Sequence, residues 1–150
     1  MRVLKDMGPP DLRLAHLSLW VHGRERDEAA DYWDGNWLRV TARCSSPEAE
    51  VWAAGTFLRT DEIQGLSNAC ARLSVSLGGE AALECMEPNL SVQLRGDGRG
   101  GIAVRVTLTP DHLRQQHEFL DDIDQTYLPA IIADCTRLLE RYPVRGSTKD

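Results

Sequence analysis

The chain reads as an α+β protein, a mostly antiparallel sheet of about six or seven strands covered by two amphipathic helices at about 61–77 and 126–142. Three observations predict this. Apolar residues alternate with a period of two over several short stretches and recur near every 3.6 residues in two longer ones. Turn-forming residues separate the alternating stretches, most clearly at Gly96–Gly101. A length of 150 residues suits a single domain, 1–150, large enough to bury about 70% of the surface its unfolded chain exposes. Residues 1–10 and 145–150 read as flexible ends.

Leu12–Val21 is apolar on parts of both faces and reads as a first strand. In Asn36–Cys44, Leu38, Val40, Ala42 and Cys44 point one way and Trp37, Arg39, Thr41 and Arg43 the other. Val51, Ala53, Gly55 and Phe57 form the next core face. Thr60 or Asp61 then caps a helix whose apolar stripe is Ile63, Leu66, Cys70, Leu73 and Leu77, stopped by Gly78-Gly79. Short strands follow at Ala81–Met86 and Leu90–Arg95, broken at Pro88, which cannot donate to a ladder. Leu90–Arg95 and Ile102–Leu108 flank the glycine-rich turn as the clearest hairpin in the chain. A further strand is expected over Arg114–Leu120. The closing helix carries Leu128, Ile131, Ile132, Cys135, Leu138, Leu139 and Tyr142 on one face, with Thr126 as N-cap and Pro129 in its first turn.

Composition narrows the function classes. A net charge of −6 argues against a general nucleic-acid binder, which needs a basic face, and would steer a basic partner towards the surface. No apolar run approaches the roughly 20 residues that cross a bilayer, and the amino terminus lacks the apolar core of a secretory signal. Four widely spaced cysteines read as small buried hydrophobes in a reducing compartment. The expectation is a cytoplasmic protein with neither nucleic acid nor membrane as its direct partner.

Candidate chemistry is sparse. His16 and His22 lie about 20 Å apart along a strand, no Cys-x-x-Cys or His-x-x-x-His pattern occurs, and a metal site is not expected. Gly96–Gly101 superficially resembles a phosphate loop, but it leads into a strand and lacks the Lys-Ser or Lys-Thr ending. No Gly-x-Ser-x-Gly elbow is present. No catalytic residue and no cofactor site is therefore assigned, and the chain reads as non-enzymatic.

What stands out is Asp31-Tyr32-Trp33-Asp34-Gly35-Asn36-Trp37-Leu38, which sets three aromatic rings, two carboxylates, an amide and a glycine where a strand should begin. It suits a fixed corner, with Asp34 or Asn36 bonding local backbone and Trp37 packing. It suits equally a recognition surface, since aromatic side chains anchor protein interfaces. Glu25, Asp27, Glu28, Asp31 and Asp34 form an acidic cluster around it. Asp121, Asp122 and Asp124 form a second, placed by the pattern before the last helix, where the helix dipole favours negative charge. The candidate partner-binding residues are Glu25, Asp27, Glu28, Asp31, Tyr32, Trp33, Asp34, Asp121 and Asp122. The same carboxylates are open to two other readings: a solvated face, or a small hydrolase or ligand-binding site.

Three segments also carry a resemblance. Tyr32-Trp33-Asp34-Gly35-Asn36-Trp37-Leu38, Glu87-Pro88-Asn89-Leu90-Ser91 and Leu138-Leu139-Glu140-Arg141-Tyr142-Pro143-Val144-Arg145 resemble, in order and approximate spacing, segments of the WapI-type bacterial immunity proteins. The resemblance spans about Leu12 to Arg145. It implies a small cytoplasmic antitoxin that neutralises, without catalysis, the toxic domain of a wall-associated, contact-dependent toxin. Many such toxins are nucleases, whose basic clefts an acidic inhibitor would occlude. Trp33 and Gly35 flanking Asp34, and the basic stretch Arg114–His117, depart from the family pattern and leave the toxin open.

Overall fold

A computed structural model describes residues 6–149; the ends expected to be flexible fall partly, at residues 1–5 and 150, outside the described residues. The chain is α+β, but the strands form two antiparallel sheets of four rather than one sheet of six or seven. The first sheet has the order β1 (Leu12–Leu14), β2 (Leu17–Arg24), β3 (Trp37–Ser45), β4 (Glu50–Arg59). The second is β5 (Gly78–Glu84), β6 (Leu90–Asp97), β7 (Gly101–Leu108), β8 (Glu118–Asp124). Between them runs α2 (Thr60–Ser76), so β4 and β5 never pair. Alternation tells a strand which face is apolar, not which sheet it joins, and the single-sheet expectation fails for that reason.

Both apolar faces, with α2 and α3 (Leu128–Arg141), enclose one continuous core. Leu38, Val40, Ala42 and Cys44 are buried as the β3 pattern requires, as are Ile63, Leu66, Cys70 and Leu73 of α2. Ala81, Leu83, Val92, Leu94, Val104 and Val106 line the second sheet's inner face. α3 packs on α2 and on β1, where Asp134 accepts the Arg13 backbone N–H at 3.1 Å.

Several boundaries differ from the sequence pattern. A third helix, α1 (Tyr32–Gly35), occupies the corner before β3. α2 begins at Thr60, and Glu62, three residues beyond Arg59, accepts the Arg59 backbone N–H at 2.8 Å and so caps it. Its exit is made by Leu77, at φ 60°, rather than by a glycine. The Leu77 carbonyl accepts from the Gly98 N–H at 2.9 Å, and a Cβ on Gly96 would stand 2.3 Å from that carbonyl oxygen. Glycine at 96 is therefore a packing requirement.

The strand expected over Arg114–Leu120 lies instead at Glu118–Asp124, because Asp111–Gln115 folds into a turn closed by bonds to the Asp111 carbonyl. Asp121 and Asp122 thus lie within a strand, and only Asp124, its last residue, stands at a helix entry. Thr126 does not cap α3; it sits in a 3-10 turn, Gln125–Tyr127, that Asp124 caps by accepting the Thr126 N–H at 2.8 Å.

Candidate functional site

The corner is built from an irregularity in β4. In the β3–β4 ladder Leu38 opposes Leu58 but Val40 opposes Gly55, so β4 carries one extra residue. Such a bulge breaks the alternation. Phe57, Leu58 and Arg59 are consequently all buried in succession, and Arg59 lies opposite Trp37 in the ladder.

Arg59 is 0% exposed. Its guanidinium donates to the carbonyls of Trp33 at 2.8 Å and Tyr32 at 2.7 Å, and to Asp61 at 2.9 Å. It also lies 5.0 Å from the ring centres of both Tyr32 and Trp37, and 5.7 Å from that of Trp33. The planar fork suits several fixed acceptors at once, and the rings supply the cation–π attraction. Sequence reading missed Arg59 altogether. Its one signal was an arginine closing an apolar strand three residues before a glutamate.

Two more arginines finish the corner. Arg24, buried on β2, donates to the Gly35 carbonyl at 2.6 Å and to the Pro143 carbonyl at 2.5 Å. Burial, and then the neighbouring Arg145, lower its pKa. Arg145, where the sequence suggests a loose end, donates from its side chain to the Asp27 and Ala29 carbonyls, both at 2.8 Å. Asn36, 0% exposed, joins the two chain segments. Its amide donates to the Tyr32 and Arg145 carbonyls, and its Oδ1 accepts the Arg145 N–H at 2.9 Å. A Cβ at Gly35 would lie 2.5 Å from the Ala29 carbonyl oxygen, so glycine is needed there.

The predicted residues are thereby sorted. Asp31 caps α1, accepting the Asp34 N–H at 3.1 Å. The Tyr32 hydroxyl donates to Asp61 at 3.0 Å; burial and that carboxylate raise its pKa. Trp33 packs edge-on against Tyr32 yet stays 47% exposed. Asp34 and Glu28 are exposed. Glu25 accepts from the Thr56 hydroxyl at 3.0 Å, and Asp27 faces Arg145 at 3.7 Å.

The two remaining acids part company, since neighbours on a strand point to opposite faces. Asp121 turns towards the first sheet and meets His16 Nε2 at 2.9 Å, while His16 Nδ1 bonds the Ser45 carbonyl at 2.5 Å. Asp122 faces outward, on a shallow groove of about 490 Å³ that Glu80, Arg95, Arg105 and Leu120 also line.

A second groove, about 410 Å³, runs between α2 and β5 past Asp61, Glu62, Glu80 and Glu84. Burial raises the Glu62 pKa, yet both its oxygens are taken, by the backbone N–H groups of Arg59 and Met86. Asp61 is held by Arg59 and Tyr32. These are structural carboxylates. Burial also pushes the thiols up, Cys44 and Cys70 to about 11 and Cys135 to about 12, away from the reactive thiolate. Among the described residues no three His, Cys, Asp or Glu side chains group as metal ligands. No helix among them is long and apolar enough to cross a membrane.

The model of the immunity protein WapI-like family matches residues 11–143. The chain belongs to that family. Neither a curated protein nor a solved structure gives a significant match. Two of the WapI-like segments, 32–38 and 138–145, meet at this corner through the Asn36–Arg145 and Arg24–Pro143 bonds. The third, 87–91, makes the turn into β6, where the Asn89 side chain donates to the Thr109 carbonyl at 3.0 Å. In these segments the buried polar groups hold backbone, and Trp33 is the ring of the 32–38 run left most exposed.

Proposed function

We propose that this chain is an immunity protein that binds a cognate toxin domain and holds it inactive without catalysis, in the cytoplasm of the cell that makes both. Family membership over residues 11–143 carries the reading. The contact surface is the loop Glu25–Asp34. Trp33 is its anchor, mounted on a corner whose backbone carbonyls are already occupied, so little ordering entropy is lost on binding. Glu28, Asp31 and Asp34 border it as rim charges that speed encounter with a basic partner. A nuclease, with a cationic substrate cleft, is the toxin class this charge complements.

Co-expression with the toxin domain encoded beside this chain's gene tests the proposal. Growth rescue and a 1:1 complex on size exclusion are expected. Toxicity undiminished by this chain, with separate elution of the two proteins, would end it.

A further inference from the structure

The outer edge of β8 is open. Among the described residues β8 pairs only with β7, and Leu108–His117 and Gly100–Gln125 are hydrogen-bonded pairs flanking that ladder. Hydrogen-bonded and non-bonded pairs alternate along an antiparallel ladder. Phe119, Asp121 and Ile123 therefore bond to β7, whereas Glu118, Leu120, Asp122 and Asp124 turn their N–H and C=O groups away from it. Among the described residues two of these groups have partners: the Asp122 N–H donates to the Asp121 carboxylate at 2.8 Å, and the Asp124 carbonyl, at the N-cap of the Gln125–Tyr127 turn, takes that turn's first bond. That carboxylate is held in turn by His16, in the turn between β1 and β2. Leu120, 68% exposed, and Asp122 line the outer groove directly beside the edge.

The charge on this strand selects its occupant. β8 reads Glu-Phe-Leu-Asp-Asp-Ile-Asp, four acids and no cation. Glu118, Asp122 and Asp124 share the outward face, and among the described residues only Glu118 of the three is in an ion pair, with Arg105 at 3.7 Å; Arg95 and Arg105 stand across the groove from Asp122. A second copy of the chain pairing β8 with β8 would set carboxylates against carboxylates, so self-association at this edge is disfavoured. An extended segment with alternating Lys or Arg would satisfy the free backbone groups and the carboxylates together.

We propose that β8 is a docking edge for a basic extended segment of a protein partner, taken up as a fifth strand of the second sheet. Main-chain bonds at Glu118, Leu120 and the Asp124 N–H supply the attachment, and the outer groove receives the alternate side chains. The proposal borrows from the toxin-binding reading only the identity of the natural partner.

Isotope-labelled protein titrated with the capped peptide Lys-Val-Lys-Val-Lys-Val-Lys tests it, with Glu-Val-Glu-Val-Glu-Val-Glu as control. The basic peptide is expected to shift the Glu118, Leu120 and Asp124 amides, and the acidic one is not. Leu120→Pro removes an outward N–H that the β7 ladder does not use and should weaken binding about tenfold or more. Asp122→Lys, which leaves the backbone intact, should weaken it in the same direction. Absence of shifts at these amides, or wild-type affinity in both variants, overturns the proposal. If the toxin domain binds the wild type and Leu120→Pro equally while the peptide does not bind, β8 is excluded and the toxin reading stands. If the peptide binds and the toxin domain does not, the toxin reading falls and the docking edge stands.

Discussion

The corner around Tyr32–Leu38 and strand β8 look alike as sequence, each a short run of acids with apolar neighbours, yet the fold treats them in opposite ways. At the corner, backbone acceptors are consumed by buried arginines: the Tyr32, Trp33 and Gly35 carbonyls all receive a guanidinium N–H. On β8, alternate backbone groups face outward, and one of them is closed by the Asp121 side chain. An acidic run therefore says little about function until its backbone is accounted for. Where the backbone is spent, an exposed side chain such as Trp33 is what remains to meet a partner. Where it is free, the backbone can do the binding.

The largest expected effect is at Arg59. Arg59→Ala strips two part-buried carbonyls and Asp61 of a fully buried donor and should cost about 3–5 kcal/mol, as breaking a buried ion pair does. A lowered urea midpoint with an unchanged slope is the signature. Arg59→Lys should rescue little, because one ammonium cannot reproduce the fork. Asp122→Ala on β8 should change stability by less than about 0.5 kcal/mol. Similar midpoints for Arg59→Ala and Asp122→Ala would erase the contrast between the two regions.

Asn36→Ala comes next. It removes three bonds linking α1 to the Arg145 end, and leaving buried groups unmet there should cost about 2–3 kcal/mol. Faster hydrogen exchange at the Arg145 amide should accompany it, with β8 unchanged. Loss of stability without that local signature would mean the corner is not the clasp described.

How much of this was legible follows from what periodicity can carry. The β3 face, the α2 stripe and the Gly96–Gly101 hairpin depend on local pattern and stand in the structure. The division into two sheets, Arg59 and the His16–Asp121 pair depend on contacts between distant segments, which no local period encodes. The Arg59 burial follows a bulge in β4, and a bulge is by nature a break in the signal being read. Adjacency groups Asp121 with Asp122 in the sequence, and on a strand the same adjacency points their side chains to opposite faces. The sequence leaves Tyr32 open between corner and recognition surface, and the Asp61 bond to its hydroxyl depends on a residue 29 positions away.

Trp33→Ala separates the two roles of the run. Losing its contacts with Tyr32 and the Arg59 guanidinium should cost about 1 kcal/mol of stability. Its effect on the toxin complex should be the larger, about tenfold or more in Kd, as for a central aromatic anchor. Unchanged affinity by titration calorimetry would leave Trp33 a structural residue and move the contact surface elsewhere.

Glu62 gives the corner a pH dependence of its own. Burial holds its carboxyl above the ordinary value of 4.5, although the Met86 and Arg59 N–H groups pull the other way. The folded protein then binds this proton more tightly than the unfolded chain does. Its contribution to stability is greatest below 4.5 and declines as pH rises from there through the raised folded value. Glu62→Gln cannot titrate and should lack that slope. Parallel midpoint-against-pH curves for the two proteins would refute the assignment.

The smallest effect belongs to the outer face of the second sheet. Arg95 meets Glu80 at 2.8 Å, but the two side chains are 75% and 66% exposed. Solvent screening and the entropy of holding two long side chains leave such a pair with less than about 0.5 kcal/mol, so Arg95→Ala should barely move the midpoint. Arg95 also lines the groove beside β8, and its removal takes away a positive charge there. The same variant should therefore bind the basic peptide slightly more tightly while folding as before. A cost above about 1 kcal/mol would instead mean that this face is held by its own side chains as the corner is, and is not free to receive a strand.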